Sequence, residues 1–139
     1  MNVKELISAM QNGAYDSNLK AVYLTDGAVD LQKPRYVEAL NSFGELFGFD
    51  REVSIMSAPG RTEVCGNHTD HNNGKVLAAS INLDAIAVVS KNDDNIIRVK
   101  SKGHRMNVVD LNDLTPNEKN FGSSTTLVQG VAAGIKDLG

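Results

Sequence analysis

The residues with the types and spacing to do chemistry lie in one stretch, Ala58-Pro59-Gly60-Arg61-Thr62-Glu63-Val64-Cys65-Gly66-Asn67-His68-Thr69-Asp70-His71-Asn72-Asn73-Gly74-Lys75-Val76-Leu77. Arg61 brings a fork of donors, Asn67 an amide that both donates and accepts, His68 an imidazole, and Asp70 a carboxylate acceptor. Such a set, on a short polar segment, suits the several adjacent hydroxyls of a polyol. The chemistry it points to is sugar recognition. Glycines at 60, 66 and 74 allow backbone conformations that would strain other residues, as a loop wrapped round a small ligand needs.

Each of these residues also has a purely structural use. Arg61 is two residues from Glu63 and suits an ion pair with it. His68, Asp70 and His71 form a compact H-x-D-H with no further histidine nearby, a weak metal pattern, and no metal is assigned to it. Cys65, between Val64 and Gly66, reads as a small buried hydrophobe, because nothing beside it in sequence stabilises a thiolate.

The elements that must hold this stretch follow from periodicity. Val3, Leu6, Ile7 and Met10 share one face of a short helix ending near Gly13, and Leu19, Val22 and Tyr23 mark a second. A third starts at Pro34, a favoured first helical position, and carries Tyr36, Val37, Leu40, Phe43, Leu46 and Phe47 to a cap at Gly48. Its aromatic stripe reads as core packing. Val53 to Met56 is a strand that delivers the chain to Arg61. Lys75 to Ile81 and Leu83 to Ser90 are β-prone, and the polar turn Asn92 to Asn95 suggests a hairpin with Ile97 to Lys100. Met106 to Leu111 is a further strand and Asp113 to Gly122 a loop. The last helix starts at Ser123 or Ser124 and aligns Leu127, Val131, Ile135 and Leu138. Gly130 and Gly134 within it each cost about 1 kcal/mol relative to Ala, which predicts close packing against a neighbour. The expected fold class is α+β, a small mostly antiparallel or mixed sheet covered by the Pro34–Phe47 and Ser123–Leu138 helices.

Composition narrows the partners. The 139 residues are enough for one ordinary domain, and 14 Lys and Arg against 17 Asp and Glu leave a net charge of −3. That balance disfavours nucleic acid and anionic membrane surfaces. No segment approaches the ~20 apolar residues of a membrane span. One cysteine excludes an internal disulfide, Met1 to Met10 does not read as a secretory signal, and a cytoplasmic location is expected.

The polar stretch resembles the galactokinase signature of the GHMP family of small-molecule kinases: Gly-Arg, a short segment, then Gly, an acid, His, any residue, Asp and Tyr. Gly60, Arg61, Gly66, His68, Thr69, Asp70, Asn72, Gly74, Val76 and Leu77 sit where the pattern places them, after Ala58-Pro59. A softer likeness extends to Leu127-Val128-Gln129-Gly130-Val131. The resemblance implies that residues 1–139 are the N-terminal portion of such a kinase, an incomplete GHMP domain lacking the phosphate loop and C-terminal domain. It implies a transferase of carbohydrate metabolism that moves the γ-phosphoryl group of ATP, with Mg2+, to the anomeric hydroxyl of galactose. Arg61 would lie beside the reacting hydroxyl, favouring the ionised form of a downstream aspartate base and the developing charge. Asn67, His68 and Asp70 would contact sugar hydroxyls, Asp70 contributing most to orientation because a carboxylate accepts two strong hydrogen bonds.

The departures define a divergent subgroup. Asn67 stands where the pattern has an acid, His71 where it has tyrosine, Glu63 where it has asparagine, and Ala79 where it has proline. Two other roles are therefore compatible: a kinase for another hexose, and a non-catalytic sugar-binding sensor or regulator. Ser123-Ser124-Thr125-Thr126, with only Gly122 before it, cannot wrap a triphosphate as a Gly- and Ser-rich loop does. The expectation is that these residues alone have no kinase activity, bind no nucleotide, and associate with one another through exposed apolar surface.

Overall fold

The computed structural model describes residues 1–139 except Asp26 and the side chain of Asp70. The chain divides into two compact units, Met1–Lys91 and Asn92–Gly139. The first holds helices α1 (Val3–Gln11), α2 (Asp16–Tyr23) and α3 (Ala28–Phe47) and strands β1 (Ser54–Cys65) and β2 (Leu77–Val89). The second holds β3 (Ile96–Val99), β4 (Asn107–Asp110) and α4 (Ser124–Leu138). This is the expected α+β class, with antiparallel pairing in both sheets. No helix among the described residues is long and apolar enough to cross a membrane.

Helix α1 starts in a capping box. The Asn2 side chain accepts from the Glu5 N–H at 2.9 Å, and the Glu5 carboxylate accepts from the Asn2 N–H at 3.1 Å. Asn2→Ala is expected to lower stability by about 1 kcal/mol, read as a shift of the urea midpoint at unchanged slope. The buried face of α1, Val3, Leu6 and Met10, meets Leu19 and Tyr23 of α2 and Ala28, Tyr36 and Leu40 of α3. Val3 and Leu40 are fully enclosed. Ile55, Ile86 and Val88, alternate residues of the strands, pack against this core.

Helix α3 begins six residues before the start expected at Pro34. Pro34 removes one helical N–H bond, that to residue 30, and crowds the carbonyl there, which is why a proline usually marks a helix start. Here the extra turns are held by the burial of Ala28 and by a Lys33–Asp16 ion pair of 2.7 Å between α3 and α2. Gly48 ends the helix, donating its N–H to Gly44.

β1 and β2 pair along their whole lengths, from Ser54 opposite Val89 to Cys65 opposite Leu77. Pro59 faces Asp84 but Arg61 faces Ser80, so residues 81–83 bulge opposite Gly60. A proline is tolerated at such an irregularity because one ladder N–H is dispensable there. The expected hairpin between Leu83–Ser90 and Ile97–Lys100 does not form; β2 belongs to β1, and β3 pairs with β4. Residues 92–96 bond locally instead. Asp94 accepts from the Ile96 N–H at 3.2 Å and pairs with Arg98 at 2.6 Å, and the Asn92 amide donates to the Ile96 carbonyl at 2.8 Å.

In the second unit Val109 is the buried residue of β4. Ser123 caps α4, its hydroxyl accepting from the Thr126 N–H at 3.2 Å, and Thr125 donates to the Asn107 side chain at 2.9 Å. The Leu127, Val131, Ile135 and Leu138 stripe is exposed. Gly130 and Gly134 have open space where a Cβ would stand, so the close neighbour expected from their spacing is not supplied by the described residues.

Candidate functional site

The polar stretch occupies the end of the β1–β2 pair and the turn that joins the strands. Arg61 lies on β1 opposite Ser80, just past the bulge, and its residue is exposed. The strand ends at Cys65, which is exposed, so the burial expected for it fails: of β1 it is Ile55, ten residues earlier, that packs against the helical core.

Three successive residues with positive φ then reverse the chain: Gly66 at 123°, Asn67 at 53° and His68 at 55°. At Gly66 a Cβ would stand 2.6 Å from Val76 Cγ1 and 2.7 Å from Val76 Cα, so the position admits only glycine. Thr69 staples the rest of the turn. Its hydroxyl donates to the Gly66 carbonyl at 2.8 Å, while its carbonyl accepts from the Asn72 N–H at 3.0 Å and the Gly74 N–H at 2.8 Å. Asp70–Asn72 forms a single 3-10 turn inside this staple. A Cβ on Gly74 would overlap the Thr69 side chain and carbonyl. Gly74→Ala is therefore expected to cost about 2 kcal/mol, as overpacking does, and to act locally. Hydrogen exchange should show faster amides over 66–74 with α1 and α3 unchanged.

Asn67 and His68 are both exposed at the head of this loop. The His68 and His71 rings are 5.4 Å apart and inclined at 51°. Glu63, opposite Ala78 on β1, turns its carboxylate to the loop: it accepts from the His68 N–H, and its other oxygen lies 3.6 Å from His68 Nδ1. Arg61 thus lies on β1, and Asn67, His68 and the backbone of Asp70 lie in the loop that follows it; the Asp70 side chain lies outside the described residues. Among the described residues no group of three His, Cys, Asp or Glu side chains is arranged to hold a metal.

Two features are not legible in the pattern. Thr69 matches the signature, but its role as the double staple depends on the fold of the turn. Asp84 looks like an ordinary strand-end polar residue, yet its side chain is 3% exposed. It accepts from Arg35 Nη1 at 2.6 Å, the Tyr23 hydroxyl at 2.7 Å and the Ser57 hydroxyl at 2.5 Å, and Tyr23 also bonds Tyr36 at 2.8 Å. Burial opposes the charge on Asp84, but the hydrogen bonds from Ser57, Tyr23 and Arg35 outweigh it and hold the carboxyl below its usual range. An interruption of the apolar alternation at 84, between Leu83 and Ile86, is the only trace of this cluster in the sequence.

Residues 41–91 match the galactokinase galactose-binding signature. The chain is 35% identical over 99 residues to a galactokinase of Streptomyces coelicolor, covering 70% of this chain and 25% of that protein. It is 33% identical over 105 residues to one of Lacticaseibacillus casei, covering 73% of this chain and 26% of that protein. With a galactokinase of Enterococcus faecalis identity is 42% over 62 residues, 45% of this chain and 16% of that protein. The chain thus spans about a quarter of the length of the first two of these relatives. No solved structure matches it. The bulged strand pair and its stapled turn fall wholly inside the matched signature, so the chain carries a region similar to the galactose-binding signature of galactokinases.

Proposed function

We propose that this chain is the sugar-recognition part of a galactokinase that transfers a phosphoryl group from ATP to the anomeric hydroxyl of galactose. One observation carries the reading: the galactose-binding signature coincides with a glycine-dependent loop on which Asn67 and His68 are exposed, at the end of the strand that carries the exposed Arg61. In this reading Asn67, His68 and Asp70 bond sugar hydroxyls. Arg61 stands beside the hydroxyl that attacks and stabilises the negative charge that develops there, in a reaction dominated by positioning and charge. ATP and Mg2+ supply the transferred group and its counter-charge. The described residues offer neither a metal cluster nor a Gly-rich phosphate loop, so no residue of this chain is assigned to either. Residues 1–139 would then be an incomplete N-terminal domain of a cytoplasmic enzyme, without kinase activity by themselves.

The test is phosphoryl transfer by the whole protein against galactose, N-acetylgalactosamine and glucose, with an Asp70→Ala control. Turnover of galactose that the control loses supports the proposal. Turnover of another hexose makes Asn67 and His71 specificity determinants. Sugar binding without turnover selects the sensor role, which the replacement of an acid by Asn67 in the loop favours.

Self-association belongs to the same proposal. Met56 at 58% and Leu83 at 70% exposure leave the outer side of the strand pair apolar, and the α4 stripe is open as well. Light scattering on the 139-residue chain is expected to show concentration-dependent dimers or larger species. A monomer across the whole range would overturn this.

A further inference from the structure

We propose that Glu63 is a positioning residue of the sugar-binding loop: from its place on β1 its carboxylate holds the backbone of His68 and so fixes the turn that presents Asn67 and His68. The proposal deepens the galactose-binding reading and rests on it for the purpose of the loop, though not for the latch itself.

The loop has two halves with different fastenings. The half from Thr69 to Gly74 is closed by the Thr69 carbonyl, which accepts from the Asn72 and Gly74 N–H groups. The half from Gly66 to His68 is tied at its ends by the Thr69 hydroxyl on the Gly66 carbonyl and contains two consecutive non-glycine residues in the left-handed region, Asn67 and His68. Such residues are strained and persist only where their surroundings over-determine them. The hydrogen bond from the His68 N–H to Glu63 fastens the middle of this half to the strand, and a charged acceptor makes it stronger than a neutral one.

Glu63 is built for that use. Its side chain is only 19% exposed, beside the small Ala78 across the ladder, so its carboxylate needs partners and finds them on the loop. The spacing suits a long acid, because the strand residue must cross to a backbone N–H five positions on. The second oxygen, 3.6 Å from His68 Nδ1, orients the imidazole that the sugar would meet. The chain therefore carries its acid on the strand at 63 and an amide on the loop at 67, the reverse of the order in the family pattern. The acid serves the shape of the loop, and Asn67 is left to face the ligand.

The experiment compares Glu63→Ala, Glu63→Gln and Glu63→Asp with the unaltered protein by 15N NMR and galactose titration. In Glu63→Ala the His68 amide proton is expected to move upfield and exchange about tenfold faster or more, with the Val3 and Leu40 amides unchanged. Galactose affinity is expected to fall by about tenfold, Glu63→Gln to recover part of both losses, and Glu63→Asp, one methylene short, to recover less. A His68 amide that is indifferent to Glu63→Ala overturns the proposal. So does a loss of affinity in Glu63→Ala that Gln does not relieve at all. If the unaltered protein binds no galactose while the His68 amide responds as stated, the latch stands and the functional reading falls.

Discussion

Asp84→Ala is expected to destabilise the Met1–Lys91 unit by about 3 kcal/mol, because it removes the acceptor on which Arg35, Tyr23 and Ser57 converge. Breaking a buried charged pair costs more than its net worth, since the partner is left without its counter-charge. Arg35 is 36% exposed and can turn to water, which keeps the expected loss at the lower end for such a pair. Tyr23 cannot: it is buried, and burial together with bonds to Tyr36 and Asp84 already pushes its phenol well above the ordinary value. Equilibrium urea unfolding at pH 7 measures the difference.

The same carboxyl predicts a pH dependence. Its folded pKa lies below its unfolded one, so the folded state holds fewer protons than the unfolded state between the two. The stabilisation is fully present above the unfolded carboxylate pKa and is lost as pH falls through the depressed folded value. Wild type should therefore lose stability over that acid window, and Asp84→Ala should lose less. Equal acid sensitivity of the two proteins would show that Asp84 does not carry it. Because Asp84 faces Pro59, directly before the bulge that launches Arg61, the variant is also expected to disturb the site end of β1.

If the proposed function holds, Arg61→Ala in the whole protein is expected to lower kcat for galactose phosphorylation by about 10²–10³-fold, the usual effect of deleting a donor aimed at developing charge. KM should change much less, since in that proposal the guanidinium acts on the transition state more than on bound sugar. Arg61→Lys keeps the charge but loses the planar fork, so only part of the rate should return. Asp70→Ala should show the opposite signature, with binding lost first. Steady-state kinetics across galactose concentrations separates the two. Turnover within threefold of wild type in Arg61→Ala would remove Arg61 from the catalytic role.

Much of the fold is readable in local sequence. The i, i+3, i+4 spacing of Val3, Leu6, Ile7 and Met10 and of Leu19, Val22 and Tyr23 marks α1 and α2. Gly48 marks the end of α3 and Ser123 the start of α4. These features are local, encoded within a few residues by period and cap chemistry. The polar set from Arg61 to Gly74 is equally visible, because its residue types and fixed spacing stand out whatever the fold.

Sequence misleads where distant residues decide. Pro34 looks like a helix start, but Ala28 and Lys33 gain enough from α2 to carry the helix through it. Strand partners cannot be read from alternation, which every strand shares; alternation and a polar turn suggest β3 as the partner of β2, whereas register and turn bonding give it to β4. Cys65 looks apolar beside its neighbours in sequence, but it is exposed, ten residues beyond Ile55, the residue of β1 that packs against the helical core.

By itself, then, the sequence determined that α1, α2 and α4 are helical and where α3 ends, which residue types are suited to a sugar, and that glycines punctuate the loop at 66 and 74. The tertiary structure alone decided that Glu63 turns to the His68 backbone, that Thr69 closes the loop, and that Asp84 sits buried under three donors. The reason is physical: period, capping and residue chemistry act over a turn or two of chain, whereas burial and hydrogen-bond partners are set by segments the fold brings together from 5 to 61 positions apart.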